Sequence, residues 1–169
     1  SRSTLAGQTK GAAFGAMAAT ATLALRDVVV SGAAANAIQF SSTVAGAVSI
    51  GGAAILCDAP SSSAVYFIGA VTGPMSVSKT SVASAYYGFN LNDLQAAATF
   101  TDVAVAAGGN GHALNVGAMA GATIALNGGA LVAGGKGVNL NAVDSASKIS
   151  LDGITVDSAS TSVAASTVD

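Results

Sequence analysis

Apolar residues in this chain recur in a pattern about 25 residues long, and few folds can hold such a pattern six times in succession. Residues 22–40 (TLALRDVVVSGAAANAIQF) align with residues 98–116 (ATFTDVAVAAGGNGHALNV) once a single insertion is allowed. Four more segments fit the same frame, beginning at Val48, Met75, Thr123 and Ile149. Inside each unit the apolar residues alternate, change phase at a small or polar residue, and alternate again after a Gly/Ala/Ser stretch. Leu23, Leu25, then Val28, Val30, then Ile38, Phe40 do this in the first unit; Ala98, Phe100, Val103, Val105, Leu114, Val116 do it in the fourth. Alternation with period two predicts strands, and the change of phase at Asp27 and Asp102 predicts a corner. Three short strands per unit, repeated at near-constant length, describe a coil that stacks in parallel on the next.

The columns of such a stack can be read off directly. One predicted inward column is Leu25, Ile50, Val77, Phe100, Leu126, Leu151; another is Phe40, Phe67, Leu91, Val116, Leu140 and, at its end, Ala165. Aliphatic and phenyl groups at every level are what a narrow, filled interior requires. A predicted outward column, Gln39, Tyr66, Asn90, Asn115, Asn139, sets three asparagines on successive coils, where stacked amides can hydrogen-bond along a ladder. Lys79 and Asp102 fall on adjacent levels of one column, so a surface ion pair is expected there, worth about 0–1 kcal/mol.

On coil length, corner positions and the asparagine column, residues 22–165 resemble the right-handed parallel β-helix family, the fold of pectate-lyase-like enzymes, autotransporter passengers and viral tailspikes. The resemblance implies the hand of the coil and is silent on activity. A β-sandwich of short strands is the competing reading, but a sandwich does not require matching columns every 25 residues. The expected fold is all-β: a single-domain parallel β-helix of about six coils over residues 22–169, preceded by an N-terminal arm or cap over residues 1–21.

Charge and composition narrow the chemistry. Six Lys or Arg against eight acids, all aspartate, give a net charge of −2, too little positive charge for a nucleic-acid footprint. Cys57 is alone, so no intrachain disulfide forms, and it reads as a small packed hydrophobe. Residues 1–10 followed by the uncharged residues 11–25 look like a secretory leader, yet the uncharged stretch falls short of the roughly 20 residues a bilayer span needs. It reads instead as a retained arm carrying Leu5, Phe14 and Met17. A first residue of serine is what removal of an initiator methionine leaves, and what cleavage of an earlier leader would leave as well; the expectation is synthesis without export.

The equipment of the β-helix glycan-cleaving enzymes is not found. A two-carboxylate mechanism needs its acids about 5–10 Å apart, whereas Asp27 and Asp102 lie three coils apart, about 14 Å by the inter-strand step. Asp152 and Asp157 flank a strand of the last coil, and no two acids are adjacent in sequence. The glycine clusters at 108–111 and 134–137 lack the aspartates and the nine-residue spacing of a calcium-binding repeat and read as corners. His112, the sole histidine, is expected at a solvent-exposed corner. Tyr66, Tyr86 and Tyr87 are read as packing in preference to a sugar-stacking platform. No catalytic residue, metal ligand or cofactor is assigned.

The outward positions carry the remaining signal. Val29, Ala54, Ala104, Ala130, Leu56 and Val132 are expected to face outward, and the 33 residues between Asp102 and Lys136 hold no formal charge. Contiguous apolar surface marks contact with another chain or a membrane, and the interrupting glycines and asparagines disfavour a membrane span. The expectation is a non-enzymatic subunit that assembles with copies of itself and other structural chains through Val29, Leu56, Val132 and the arm residues Leu5, Phe14 and Met17, the arm either capping one end of its own chain or adding to a neighbour. A virion surface, decoration or fibre protein is the first home for it. A secreted cell-surface filament or adhesin subunit is the alternative, and a carbohydrate-binding or glycan-cleaving β-helix, with a surface glycan as ligand, is the second.

Overall fold

The computed structural model describes residues 3–7, 10–32 and 34–167. Ser1, Arg2, Gln8 and Thr9 of the expected arm, and Ala33, Val168 and Asp169 of the expected solenoid, lie outside the described residues. Among the described residues there is no helix, and eighteen strands, numbered in chain order, wind into a parallel β-solenoid.

Three faces run the length of the coil. Face one stacks β3 (Thr22–Arg26), β6 (Ala47–Gly51), β9 (Met75–Ser78), the first halves of β12 (Ala97–Ala107) and β14 (Thr123–Ala133), and β16 (Lys148–Asp152). Face two stacks β1 (Ser3–Gly7), β4 (Val28–Gly32), β7 (Ala54–Cys57), β10 (Ser81–Ser84), the second halves of β12 and β14, and β17 (Thr155–Ser158). Face three stacks β2 (Ala12–Phe14), β5 (Ile38–Phe40), β8 (Ser63–Val71), β11 (Tyr87–Leu94), β13 (Leu114–Met119), β15 (Val138–Val143) and β18 (Val163–Thr167). Every pairing is parallel.

The two inward columns stand in the predicted register. Leu25 lies against Ile50, and the column continues through Val77, Phe100 and Leu126 to Leu151. Phe40 lies against Phe67, then Leu91, Val116, Leu140 and Ala165. The Phe40 and Phe67 rings stack at 4.2 Å and 3°. Aliphatic and phenyl groups stacked at one strand spacing fill the interior: every member from Leu25 to Leu126 and from Phe40 to Leu140 is buried, while Leu151 at the end of the stack is 44% exposed.

The corner between faces one and two has a single cause. Asp27, Gly52, Lys79, Asp102, Gly128 and Gly153 occupy it on successive levels, all with φ between 48° and 70°. One left-handed residue turns the chain and resets the alternation, so that Leu25 and Val28 both point inward although three positions separate them. Asp102 directs its carboxylate at the level above: a Cβ on Gly128 would come within 2.6 Å of Oδ1. That direction is away from Lys79 on the level below, and the ion pair expected between Lys79 and Asp102 does not form.

The described part of the N-terminal segment continues the winding. β1 pairs with β4, β2 pairs with β5, and Met17 bridges Val44, each in parallel. Phe14 stacks on Phe40 at 5.0 Å. Phe14 and Met17 pack against the core of their own chain. Leu5 pairs with Val30 in an inward column at the end of the stack, where it is 38% exposed.

Candidate assembly surface

The three outward surfaces differ in chemistry because the outward residue types change from face to face while the inward ones do not. Face one presents Ser49, Ser76 and Thr99 on successive levels beside Ala47, Pro74 and Ala97, around a hollow of about 260 Å³. Face three presents amides. Nδ2 of Asn139 donates to Oδ1 of Asn115 at 2.7 Å, and Nδ2 of Asn115 donates to Oδ1 of Asn90 at 2.8 Å. Nζ of Lys136 donates to Oδ1 of Asn139 at 2.8 Å, so every donor in the row points the same way, starting from a cation. Asn139 and Gln39 of the outward column are only 6% and 8% exposed. Lys136 and Asn141 screen the first, and Asn36 and Ser41 bond the second.

Face two is apolar. Its first outward column runs Val29, Ala54, Ser81, Ala104, Ala130, Thr155; its second runs Ser31, Leu56, Ala83, Ala106, Val132, Asp157. Leu56 is 42% and Val132 47% exposed. Between them the alanines leave a groove of about 530 Å³, and a second hollow of about 410 Å³ continues it past Leu56 and Val132 toward the next corner. Ala83 and Ala106 complete the surface and were not singled out in the sequence, since an alanine between two larger residues announces no face of its own. Only Asp157, on the last level, puts a formal charge in these two columns.

The corner between faces two and three carries His112, Lys136, Tyr86 and Tyr87. His112 is half-buried, not solvent-exposed as expected: the backbone N–H of Lys136, one coil on, donates to its Nδ1 at 3.0 Å. The neutral ring thus keeps its proton on Nε2. Burial, and then the Lys136 charge, hold its pKa below the ordinary histidine value, with the Gly111 backbone opposing them. Gly135 leaves the room for this ring, for a Cβ there would come within 2.8 Å of Nδ1. Tyr87 lies 5.2 Å from the imidazole and 4.2 Å from Tyr86, ring centre to ring centre. Burial, with a hydrogen bond and charge interaction from Tyr86, pushes the Tyr87 hydroxyl up to about 12. Tyr66 stands apart, opposite Asn90 and three positions along the strand from the residue that pairs with Tyr87, so the three tyrosines do not form one platform.

Cys57 is buried in an inward column, its thiol donating to the Ala35 carbonyl at 3.2 Å. Asp27 and Asp102 share the left-handed corner with Gly52 and Lys79 between them. Asp144 accepts from the Ser147 hydroxyl at 2.6 Å and from the backbone N–H groups of Ser147 and Gly121, which hold its carboxyl below the usual range. Among the described residues no three His, Cys or Asp side chains gather as a metal site. Among them, too, no helix is long and apolar enough to cross a membrane. Comparison of the chain with known protein families, with curated proteins and with solved structures gives no match.

Proposed function

We propose that this chain is a non-catalytic structural subunit that assembles with copies of itself through face two, as part of a virion surface, as a decoration or fibre protein. The observation that carries the reading is the pair of largely apolar outward columns of face two, from the second of which Leu56 and Val132 project, on a parallel sheet. Burying a leucine or valine side chain is worth about 1.5–3 kcal/mol, and a subunit that leaves such groups in register along one face gains by covering them. Faces one and three present hydroxyls and hydrogen-bonded amides outward, beside Pro74 and Ala97 on the one and Ile68 on the other. A stack in which each coil is bonded to the next resists local opening, as a particle surface demands.

The test is the size and shape of what the chain forms. Electron microscopy of the purified chain, with light scattering across concentration, should show discrete oligomers. In L56K/V132K, which places two cations on the face, these should be lost while the circular dichroism of the sheet is kept. Rods of unlimited length would assign the chain to the filament or adhesin reading. A monomer at every concentration removes the self-assembly reading.

A further inference from the structure

We infer that His112 is an acid-released latch, which in its neutral form ties residues 134–137 to the coil before them and on protonation lets that corner open while the strands on either side stay paired. The latch is independent of whatever covers face two.

The solenoid makes the same tie twice, and only one of the two can titrate. Ile38, Val65, Phe89, Leu114 and Val138 share one column of face three. Two residues before Ile38 stands Asn36, whose Oδ1 accepts the backbone N–H of Ser63, two residues before Val65, at 2.8 Å. Two residues before Leu114 stands His112, whose Nδ1 accepts the backbone N–H of Lys136, two residues before Val138, at 3.0 Å. In each case a side chain takes the place of the carbonyl that a strand would offer. The neighbouring donors go to main-chain carbonyls: Gly134 to Ala107, Gly135 to Gly111 and Gly137 to Thr161. The amide oxygen of Asn36 accepts at any pH, whereas the imidazole accepts only while it is neutral.

Protonation makes donors of both ring nitrogens, so no rotation of the ring restores an acceptor to Lys136. Nor is there room for the two donors to part, since a Cβ on Gly135 would lie 2.8 Å from Nδ1. The titratable groups that face the ring are Tyr87, 5.2 Å away, Tyr86 beside that tyrosine, and Lys136 on the next coil. None is a carboxylate. The one formal charge among them, on Lys136, repels an imidazolium, and only the Gly111 backbone favours it. The charged ring is relieved when residues 134–137 move away, and the glycines at 134, 135 and 137 let the backbone do so at little steric cost. β14 and β15 on either side keep their ladders to β12 and β13, so the opening stays local.

Amide hydrogen exchange followed by NMR from pH 7.5 to pH 4, each rate divided by that of an unstructured chain at the same pH, reads both ties in one molecule. Protection of the Lys136 amide should fall at least tenfold, with a midpoint that matches the titration of the His112 ring signals, while the Ser63 amide keeps its protection within about twofold. H112N, which repeats the Asn36 arrangement, should hold the Lys136 protection across the range. A ring that stays neutral throughout, a Lys136 amide that stays protected while the ring titrates, or an equal fall at Lys136 and Ser63 overturns the latch, and these are read in the unmodified chain. The same fall in a folded H112N overturns it as well.

Discussion

At Gly128 two requirements meet in one residue: a φ of 70° and the carboxylate of Asp102 where a Cβ would stand. Gly128→Ala meets both the left-handed penalty of roughly 1–2 kcal/mol and the displacement of that carboxylate. We expect it to lower unfolding free energy by about 1–3 kcal/mol, read from the urea midpoint at constant slope. His112 makes a different prediction, one of pH. Its folded pKa lies below the ordinary value near 6.5, so on acidification the unfolded chain takes up the proton first. The stability this neutral ring contributes is therefore complete above about pH 6.5 and is lost as pH falls through the lower, folded value. Protonation also places a donor at Nδ1, where the Lys136 N–H needs an acceptor. Thermal melts should show a fall in stability below pH 6.5 that H112Q lessens. A melting temperature that is flat from pH 7 to 5, or one that falls equally in H112Q, contradicts this. The sequence did not show His112 as buried, because the space for its ring is an absent side chain at Gly135, one coil away.

The strands and columns were the most legible level. Leu25 to Leu151 and Phe40 to Ala165 could be aligned because large apolar residues at a fixed spacing leave one register that puts them in the same columns, buried up to Leu126 and Leu140 and exposed only on the last level. The corner was half legible. Asp27 and Asp102 are turn formers, but Lys79 holds the same left-handed place and carries no turn signal of its own. The missing Lys79–Asp102 ion pair follows from side-chain direction, which spacing does not fix. The first coil escaped notice because β2 offers only Ala12, Ala13 and Phe14, too short a run to display a period. The amide row was legible as a column, but its one-way donation from Lys136 was not. That row supports a further prediction: Asn115→Ala deprives Nδ2 of Asn139 and Oδ1 of Asn90 of a partner at once. It should cost about 1–3 kcal/mol in urea unfolding, while Gln95→Ala, whose bond to Asp93 is exposed, should cost less than about 0.5 kcal/mol. Equal costs would mean that the row does not bind the coils together.

For the molecule as a whole, one winding gives three surfaces of different chemistry, and the two outward columns of face two hold a single formal charge, Asp157. The outward place of Val29, Leu56 and Val132 was legible from alternation, whereas the groove between them depends on Ala83 and Ala106, which only the stacking brings into line. Sedimentation velocity across a hundredfold range of concentration tests the central claim most directly. The account predicts a sedimentation coefficient that rises with concentration for the unmodified chain and stays at the monomer value for L56K/V132K. An unmodified chain that remains at the monomer value throughout would contradict it.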